Sequence, residues 1–295
     1  MKALITGGRG FVGLHLASHL AAEGDDVVAI DMEVDVTDPA AVAEAVAAAD
    51  PDVIYHLAAL AHVGESWVDP SKVLGVNVIG TANVLAAARQ VAPASKTIAV
   101  SSAEVYGIVA PDELPLTEGS EVRPASPYAA SKAAAEQVAL QAARGFGQQV
   151  VVARPFNHVG PGQAPVFAVP ALAKRIVDAS TAGEGWLPVG TLTTRRDFTD
   201  VRDVVRAYRL LALEGVSGEV YNIASGVDVE IAEIARMLLE LAGADLELRP
   251  DPSLIRPVDV PVLRGDASLL RATTGWEPSI PLDTTLADVL ESFRT

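Results

Sequence analysis

Thr6-Gly7-Gly8-Arg9-Gly10-Phe11-Val12-Gly13 is the stretch on which the fold is read. It follows a short apolar run, Lys2 to Thr6, and opens the apolar-periodic stretch Phe11 to Ala22, which predicts a strand, a tight turn and a helix. Gly7, Gly10 and Gly13 fall at every third position. Glycines so spaced allow the turn, let backbone N–H groups approach a pyrophosphate at the positive helix end, and let helix and strand pack closely. Three glycines alone are weak evidence for a dinucleotide site, and a plain strand-to-helix turn is the competing reading. Placement between a strand and an amphipathic helix favours the dinucleotide.

The same rhythm continues downstream. Candidate strands at Val27 to Asp31, Val53 to Leu57, Thr97 to Ser101 and Val150 to Arg154 alternate with helical stretches at Pro39 to Ala49, Lys72 to Val91 and Pro127 to Arg144. This predicts an α/β fold, a Rossmann-like doubly wound parallel sheet. After Arg154 the chain becomes rich in Pro and Gly at Pro155 to Pro170 and Gly183 to Gly190, expected as loops that shape a site. Regular elements resume at Asp203 to Leu213 and Glu219 to Ile223, and then at Ile231 to Leu241, Ala267 to Thr274 and Leu282 to Ser292. The expected organisation is a dinucleotide-binding domain over 1–155, rejoined by about 199–224, and a smaller α/β substrate-binding domain from 156–198 and 225–295.

Composition narrows the function. Half of the 295 residues are apolar, enough to bury a sizeable core. The chain has no cysteine, which excludes disulfides, thiolate chemistry and cysteine-held metal; no metal site is expected. A formal net charge of −16 makes a nucleic-acid partner improbable. No uninterrupted apolar run reaches the roughly eighteen residues that span a bilayer, and the first residues lead straight into the glycine turn, so a cytoplasmic protein without membrane contact is expected. An anionic substrate would then need local arginines, for which Arg195-Arg196 and Arg256 are the candidates.

The chemistry-bearing residues lie where a doubly wound sheet presents its carboxyl edge. Asp31, at the end of the second candidate strand, would accept hydrogen bonds from the adenosine ribose and repel a 2′-phosphate, which favours NAD; Arg9 argues for NADP. Asp35 can face the adenine amine or simply make a short acidic turn. Tyr128 and Lys132 form a Tyr-x-x-x-Lys pair at the start of a helix introduced by Ser126-Pro127, so they share one face. A neighbouring ammonium and the positive nicotinamide favour ionised tyrosine, letting Tyr128 exchange a proton with a substrate oxygen. Ser102, at the end of the fourth strand, can donate to the same oxygen, or Ser101 and Ser102 only terminate the strand. Glu104 is an acid/base candidate or a solvated carboxylate.

With these residues in place the chain resembles, over essentially its whole length, the extended short-chain dehydrogenase/reductases of nucleotide-sugar metabolism. The likeness is carried by His56-Leu57-Ala58-Ala59, Asn77-Val78-Ile79-Gly80-Thr81, Ser101 to Gly107, Ser126-Pro127-Tyr128 with Lys132, Arg154-Pro155-Phe156-Asn157 and Arg196-Asp197-Phe198-Thr199-Asp200-Val201. His62-Val63-Gly64-Glu65-Ser66-Trp67, Phe156 to Gln163, and Leu254-Ile255-Arg256-Pro257 with Asp259-Val260-Pro261 point within it to GDP-4-keto-6-deoxy-D-mannose reductases, with GDP-mannose 4,6-dehydratases as near relatives.

The resemblance implies an NAD(P)-dependent enzyme that reduces the 4-keto group of a GDP-linked 6-deoxy sugar to give GDP-D-rhamnose; a redox-neutral 4-epimerase or 4,6-dehydratase with tightly bound NAD is the alternative. It implies Ser102, Tyr128 and Lys132 as the catalytic trio, with Lys132 also on the nicotinamide ribose. It places Gly7, Gly10, Phe11, Val12, Gly13, Asp31, Asp35, Val36, Leu57, Ala58, Ala59, Asn77 and Pro155 around the cofactor. Asn157, Lys174, Arg196 and Arg256 would reach the sugar diphosphate, and a homodimer through the helices at Lys72 to Val91 and Pro127 to Arg144 is implied. Two departures stand out: Ala103 replaces a polar residue of the dehydratases, and such reductases favour NADPH where Asp31 favours NAD.

Overall fold

In the computed structural model, which describes residues 1–254 and 260–294, the expected alternation is present from the first residues. β1 (Lys2–Thr6) leads through the glycine turn into α1 (Phe11–Ala22), followed by β2 (Asp26–Ile30), α2 (Pro39–Ala49) and β3 (Val53–His56). Asp38 caps α2, its carboxylate accepting from the N–H groups of Ala40 and Ala41, and Pro39 supplies a first helical residue that needs no donor. Two short helices, α3 (Val63–Ser66) and α4 (Pro70–Leu74), precede a π-helical turn at Gly75–Ile79 that runs on into α5 (Gly80–Val91). Next come β4 (Lys96–Val100), α6 (Pro127–Phe146) and β5 (Gln149–Pro155). The Ser126 hydroxyl caps α6 by accepting from Ala129 N–H, and Gly147 closes it at φ 69°.

Downstream lie β6 (Asn157–Val159), α7 (Ala168–Ala182), β7 (Trp186–Val189), β8 (Arg195–Asp200), α8 (Val201–Glu214), β9 (Val220–Ile223), β10 (Asp228–Glu230), α9 (Ile231–Ala242), β11 (Glu247–Pro250), β12 (Val262–Leu263), α10 (Ser268–Thr274) and α11 (Leu282–Glu291). The main sheet has six parallel strands in the order β2-β1-β3-β4-β5-β9. The chain steps outward from β1 to β2 and then returns to β3 on the other side, so the crevice beyond Thr6 and His56 is the switch point where such sheets bind ligands. One face carries α1 and α8, whose Leu16, Leu20, Val204, Tyr208 and Leu211 are buried with Ile5, Tyr55 and Ile98. On the other face Val42 and Val46 of α2 meet Val84 and Ala88 of α5.

The second sheet is built around β8, which pairs with β6 and β12 in parallel and with β10 in antiparallel fashion. Its helices α7, α9 and α11 bury Leu172, Ile176, Ile234, Leu238, Leu286 and Val289 together. Pro155 to Pro170 and Gly183 to Gly190 are therefore not simply loops: they hold the end of β5, β6, the start of α7 and all of β7. Proline is no bar to α7 because Pro170 sits in its first turn, where backbone N–H groups lack helical partners anyway. The helix expected at Lys72 to Val91 begins earlier, at Pro70, and contains the π-turn. By length and composition alone the 22-residue rod Pro70–Val91 could cross a membrane; one side of it packs on α2 and α6.

Candidate active site

The glycine turn is a cradle that side chains would fill. Gly7 has φ +70°, and a Cβ there would lie 2.8 Å from the Ala58 N. A Cβ on Gly13 would run into the Gly7 carbonyl. Gly10 is the N-cap of α1 and offers no side-chain acceptor, so the first N–H groups of α1, at Phe11 and Val12, lack a capping side chain and suit a ligand that brings its own oxygens. These features fit the pyrophosphate of a dinucleotide.

At the adenosine end, the Asp31 carboxylate accepts from Arg9 N–H at 2.8 Å and Met32 N–H at 2.9 Å. The Arg9 guanidinium pairs with Glu33 at 3.1 Å, so the cation that argued for NADP is already held by a second carboxylate. Asp35 turns back on its own loop, accepting from Thr37 N–H at 2.8 Å and Thr37 Oγ1 at 2.7 Å. Val36 is buried against Gly80. Leu57, Ala58 and Ala59 follow β3 half-buried, and Pro155 ends β5 in the core. Buried Asn77 lies within the π-turn, a helix irregularity often found at functional sites. Its Oδ1 accepts from Leu60 N–H at 2.8 Å and its Nδ2 donates to Ser131 Oγ at 2.9 Å, tying the loop after β3 to α6.

Tyr128, Lys132 and Glu136 sit on successive turns of α6, all buried. The Ser102 hydroxyl lies close enough to Tyr128 to favour its ionised form. Burial pushes the Tyr128 hydroxyl up to about 12, against the influence of Ser102 and helped by the Glu104 carboxylate. Burial thus opposes the ionising influence expected of the neighbouring ammonium, and favours the protonated hydroxyl. Lys132 does not supply the expected bias, because its ammonium donates to the Val100 carbonyl at 2.8 Å while burial brings it down to about 8. Glu104 is half-buried in the short turn Ala103–Tyr106 that Ser102 caps. Ser101 plays a different part. Its hydroxyl donates to Glu136 at 2.9 Å, and Glu136 also binds the Arg154 guanidinium, whose Nε lies 2.8 Å away.

The residues expected around the sugar diphosphate come from different elements. Asn157 opens β6 beside Phe198, and Lys174 on α7 pairs with Asp178 at 2.6 Å. Arg195 and Arg196 form no cluster, because neighbours on a strand face opposite sides. Arg195 is exposed and pairs with Asp228 and Glu230, whereas Arg196 is buried and donates to the Arg195 carbonyl at 2.9 Å. Arg256 lies outside the described residues.

Sequence reasoning gave no role to His56, Thr6, Thr81 or Ser131, all buried beside the crevice. The available signal was a lone histidine ending the apolar strand Val53-Ile54-Tyr55-His56. Among the described residues no group of His, Asp or Glu is arranged to hold a metal ion.

Residues 3–224 match the NAD dependent epimerase/dehydratase family. The chain is 36% identical over 297 residues to the GDP-6-deoxy-D-mannose reductase of Pseudomonas aeruginosa, covering 100% of this chain and 97% of that one. The structure of RMD from Pseudomonas aeruginosa complexed with NADPH matches with a TM-score of 0.92 and 35% identity, over 99% of both chains. UDP-glucose 4-epimerase from Thermus thermophilus in complex with NAD matches with a TM-score of 0.90 and 29% identity, over 100% of this chain and 99% of that one. With its glycine cradle, switch-point crevice and Tyr128/Lys132 helix, the chain belongs to the NAD dependent epimerase/dehydratase family.

Proposed function

We propose that this chain is an NAD(P)H-dependent reductase that converts the 4-keto group of GDP-4-keto-6-deoxy-D-mannose to the alcohol of GDP-D-rhamnose. The observation that carries the reading is the buried Tyr128 hydroxyl, held protonated beside Ser102, since reduction of a carbonyl needs an acid at that oxygen. Full-length similarity to a GDP-6-deoxy-D-mannose reductase supports the sugar and the base. When bound, the nicotinamide supplies the hydride for C4. Tyr128 gives its proton to the C4 oxygen, and Ser102 donates a hydrogen bond to the same atom. Lys132, one helical turn on, keeps its bond to the Val100 carbonyl and offers its remaining N–H groups to the ribose. The unpaired N–H groups at Phe11 and Val12 receive the pyrophosphate, and Asn157, Lys174, Arg196 and Arg256 are the candidates for the sugar diphosphate.

Asp31 and Glu33 at the ribose end favour NADH, although the similar Pseudomonas protein is complexed with NADPH. Likeness to UDP-glucose 4-epimerases gives a second reading, redox-neutral 4-epimerisation with retained NAD, and Glu104 beside Tyr128 would also serve a 4,6-dehydratase. One assay separates them: absorbance at 340 nm with NADH or NADPH and freshly made GDP-4-keto-6-deoxy-D-mannose. Stoichiometric loss with GDP-D-rhamnose as product is expected, and a product formed without nicotinamide turnover would sink the reductase.

The proposal includes a cytoplasmic homodimer through α5 and α6, where exposed Ile79 of the preceding π-turn and the at least partly exposed Ala82, Ala86, Ala130 and Ala134 are small or apolar. Sedimentation at assay concentration giving only monomer would contradict the dimer. Recovery of the protein in the membrane fraction would contradict the location.

A further inference from the structure

His56 ends β3 inside the protein, between β1 and α5, and touches two hydroxyls. Its Nδ1 is 2.8 Å from Thr6 Oγ1 and its Nε2 is 3.0 Å from Thr81 Oγ1. The proton positions follow from counting donors. A threonine hydroxyl has one hydrogen, and that of Thr81 goes to the Asn77 carbonyl at 2.6 Å. Thr81 can therefore only accept from His56, which puts the imidazole proton on Nε2. Burial holds the imidazole far below its ordinary range, at about 3, so the ring is neutral and Nδ1 is bare. Thr6 then donates to Nδ1 while its oxygen accepts from Ala58 N–H at 3.3 Å.

The chain of bonds extends in both directions. Thr6 immediately precedes Gly7, and Ala58 is the residue whose N limits the cradle at that glycine. On the other side, Asn77 grips Leu60 through both its N–H and its carbonyl, and donates to Ser131 Oγ. Ser131 in turn donates to the Tyr128 carbonyl at 2.7 Å. These bonds join the cofactor turn to the turn of α6 that carries the acid, passing through Asn77 from its backbone carbonyl to its side chain.

We propose that His56 is a positioning residue: through Thr6 it sets the cofactor cradle at Gly7 and Ala58, and through Thr81 and Asn77 it sets the helical turn that aims Tyr128. This rests on the dinucleotide reading of the crevice. An imidazole with one donor and one acceptor on opposite sides suits this position because it serves both hydroxyls at once without a charge in the core.

The two sides can be cut separately. An asparagine amide reaches about as far as Nδ1 and keeps the Thr6 side; a glutamine amide reaches about as far as Nε2 and keeps the Thr81 side. The probes are NADH affinity by fluorescence titration of the full chain, and turnover with GDP-4-keto-6-deoxy-D-mannose. His56→Leu is expected to lose about tenfold in both, as a buried hydroxyl on each side loses its partner. His56→Asn should keep NADH affinity and lose turnover, and His56→Gln should do the reverse. If the His56 variants fail to fold, Thr6→Val and Thr81→Val carry the same split, with weaker NADH binding in the first and slower turnover in the second. Folded variants with unchanged affinity and turnover would overturn the proposal, as would Asn and Gln variants that lose both equally. Wild-type chain that binds neither NADH nor NADPH would overturn the dinucleotide reading itself, and the proposal with it.

Discussion

The six-stranded sheet and the small sheet around β8 are held by different kinds of bond. In the first, the cofactor turn itself is made of backbone: a glycine turn, strand ends in parallel register and helices capped by residues at their own termini. In the second, carboxylates reach across the chain. Buried Asp197 accepts from Ser225 N–H at 2.8 Å, Ser225 Oγ at 2.6 Å, Gly226 N–H at 3.0 Å and Gly265 N–H at 3.1 Å. Asp200 accepts from Thr285 Oγ1 at 2.7 Å, and Asp203 from Ser279 N–H at 2.8 Å and Ile280 N–H at 2.9 Å. The lesson is that the turn glycines and helix caps of the cofactor region are set by residues close in sequence, whereas the β8 joint is closed by carboxylates that reach distant segments.

The largest effect expected separates chemistry from both regions. Tyr128→Phe keeps the ring and the fold, so turnover should fall about 10³-fold, within the range for loss of a positioned acid, while NADH affinity stays unchanged. Retained turnover would show that the acid lies elsewhere.

Asp197→Ala strikes the β8 region at its joint. It strands four donors and should cost about 3 kcal/mol in unfolding free energy, read by urea titration. A cost no larger than that of a surface substitution would break the comparison.

Gly7→Ala strikes the cradle instead. A side chain at positive φ and 2.8 Å from Ala58 N should weaken NADH at least about tenfold, read by fluorescence titration, with a much smaller stability loss than Asp197→Ala. Unchanged NADH affinity would mean the dinucleotide does not use this turn.

The pH profile sharpens the account further. Burial brings Lys132 down to about 8 while Tyr128 is raised, so reduction should fall on the alkaline side with a midpoint near pH 8 as the ammonium is lost, before the acid ionises. Stability should move in the opposite direction. Because the folded chain holds the Lys132 proton less tightly than the unfolded one, burying the charge costs most below about pH 8, and that cost fades as pH rises toward 10.5. A rate flat to pH 10 would contradict the assignment.

The smallest effect is at the ribose end, where Asp31→Ala should shift the NADH-to-NADPH preference several-fold toward NADPH, measured as the ratio of kcat/KM values. An unshifted ratio would remove Asp31 as the selector.

The contrast also explains what the sequence made legible. Phe11 to Ala22 and Pro39 to Ala49 were readable to the residue because turn glycines, Asp38 and Pro39 mark their ends locally. Tyr128 and Lys132 were readable because a helix brings i and i+4 together whatever the rest of the chain does. The burial that keeps Tyr128 protonated was not readable, since it comes from packing. Nor was β8, whose partners β6, β10 and β12 are each short and lie far along the chain. Arg195 and Arg196 misled for the same reason: adjacency in sequence is opposition in a strand, and only the pairing with β10 reveals which side holds the carboxylates.

The central claim is that Tyr128 and a bound nicotinamide reduce a sugar C4 carbonyl, and tracing the transferred hydrogen tests it most directly. NADH deuterated at both C4 positions would be incubated with GDP-4-keto-6-deoxy-D-mannose and the sugar examined by mass and NMR. The account predicts one deuterium, carried on C4 of GDP-D-rhamnose, for each NADH oxidised. A product free of deuterium, with the nucleotide still reduced and fully labelled, would contradict it.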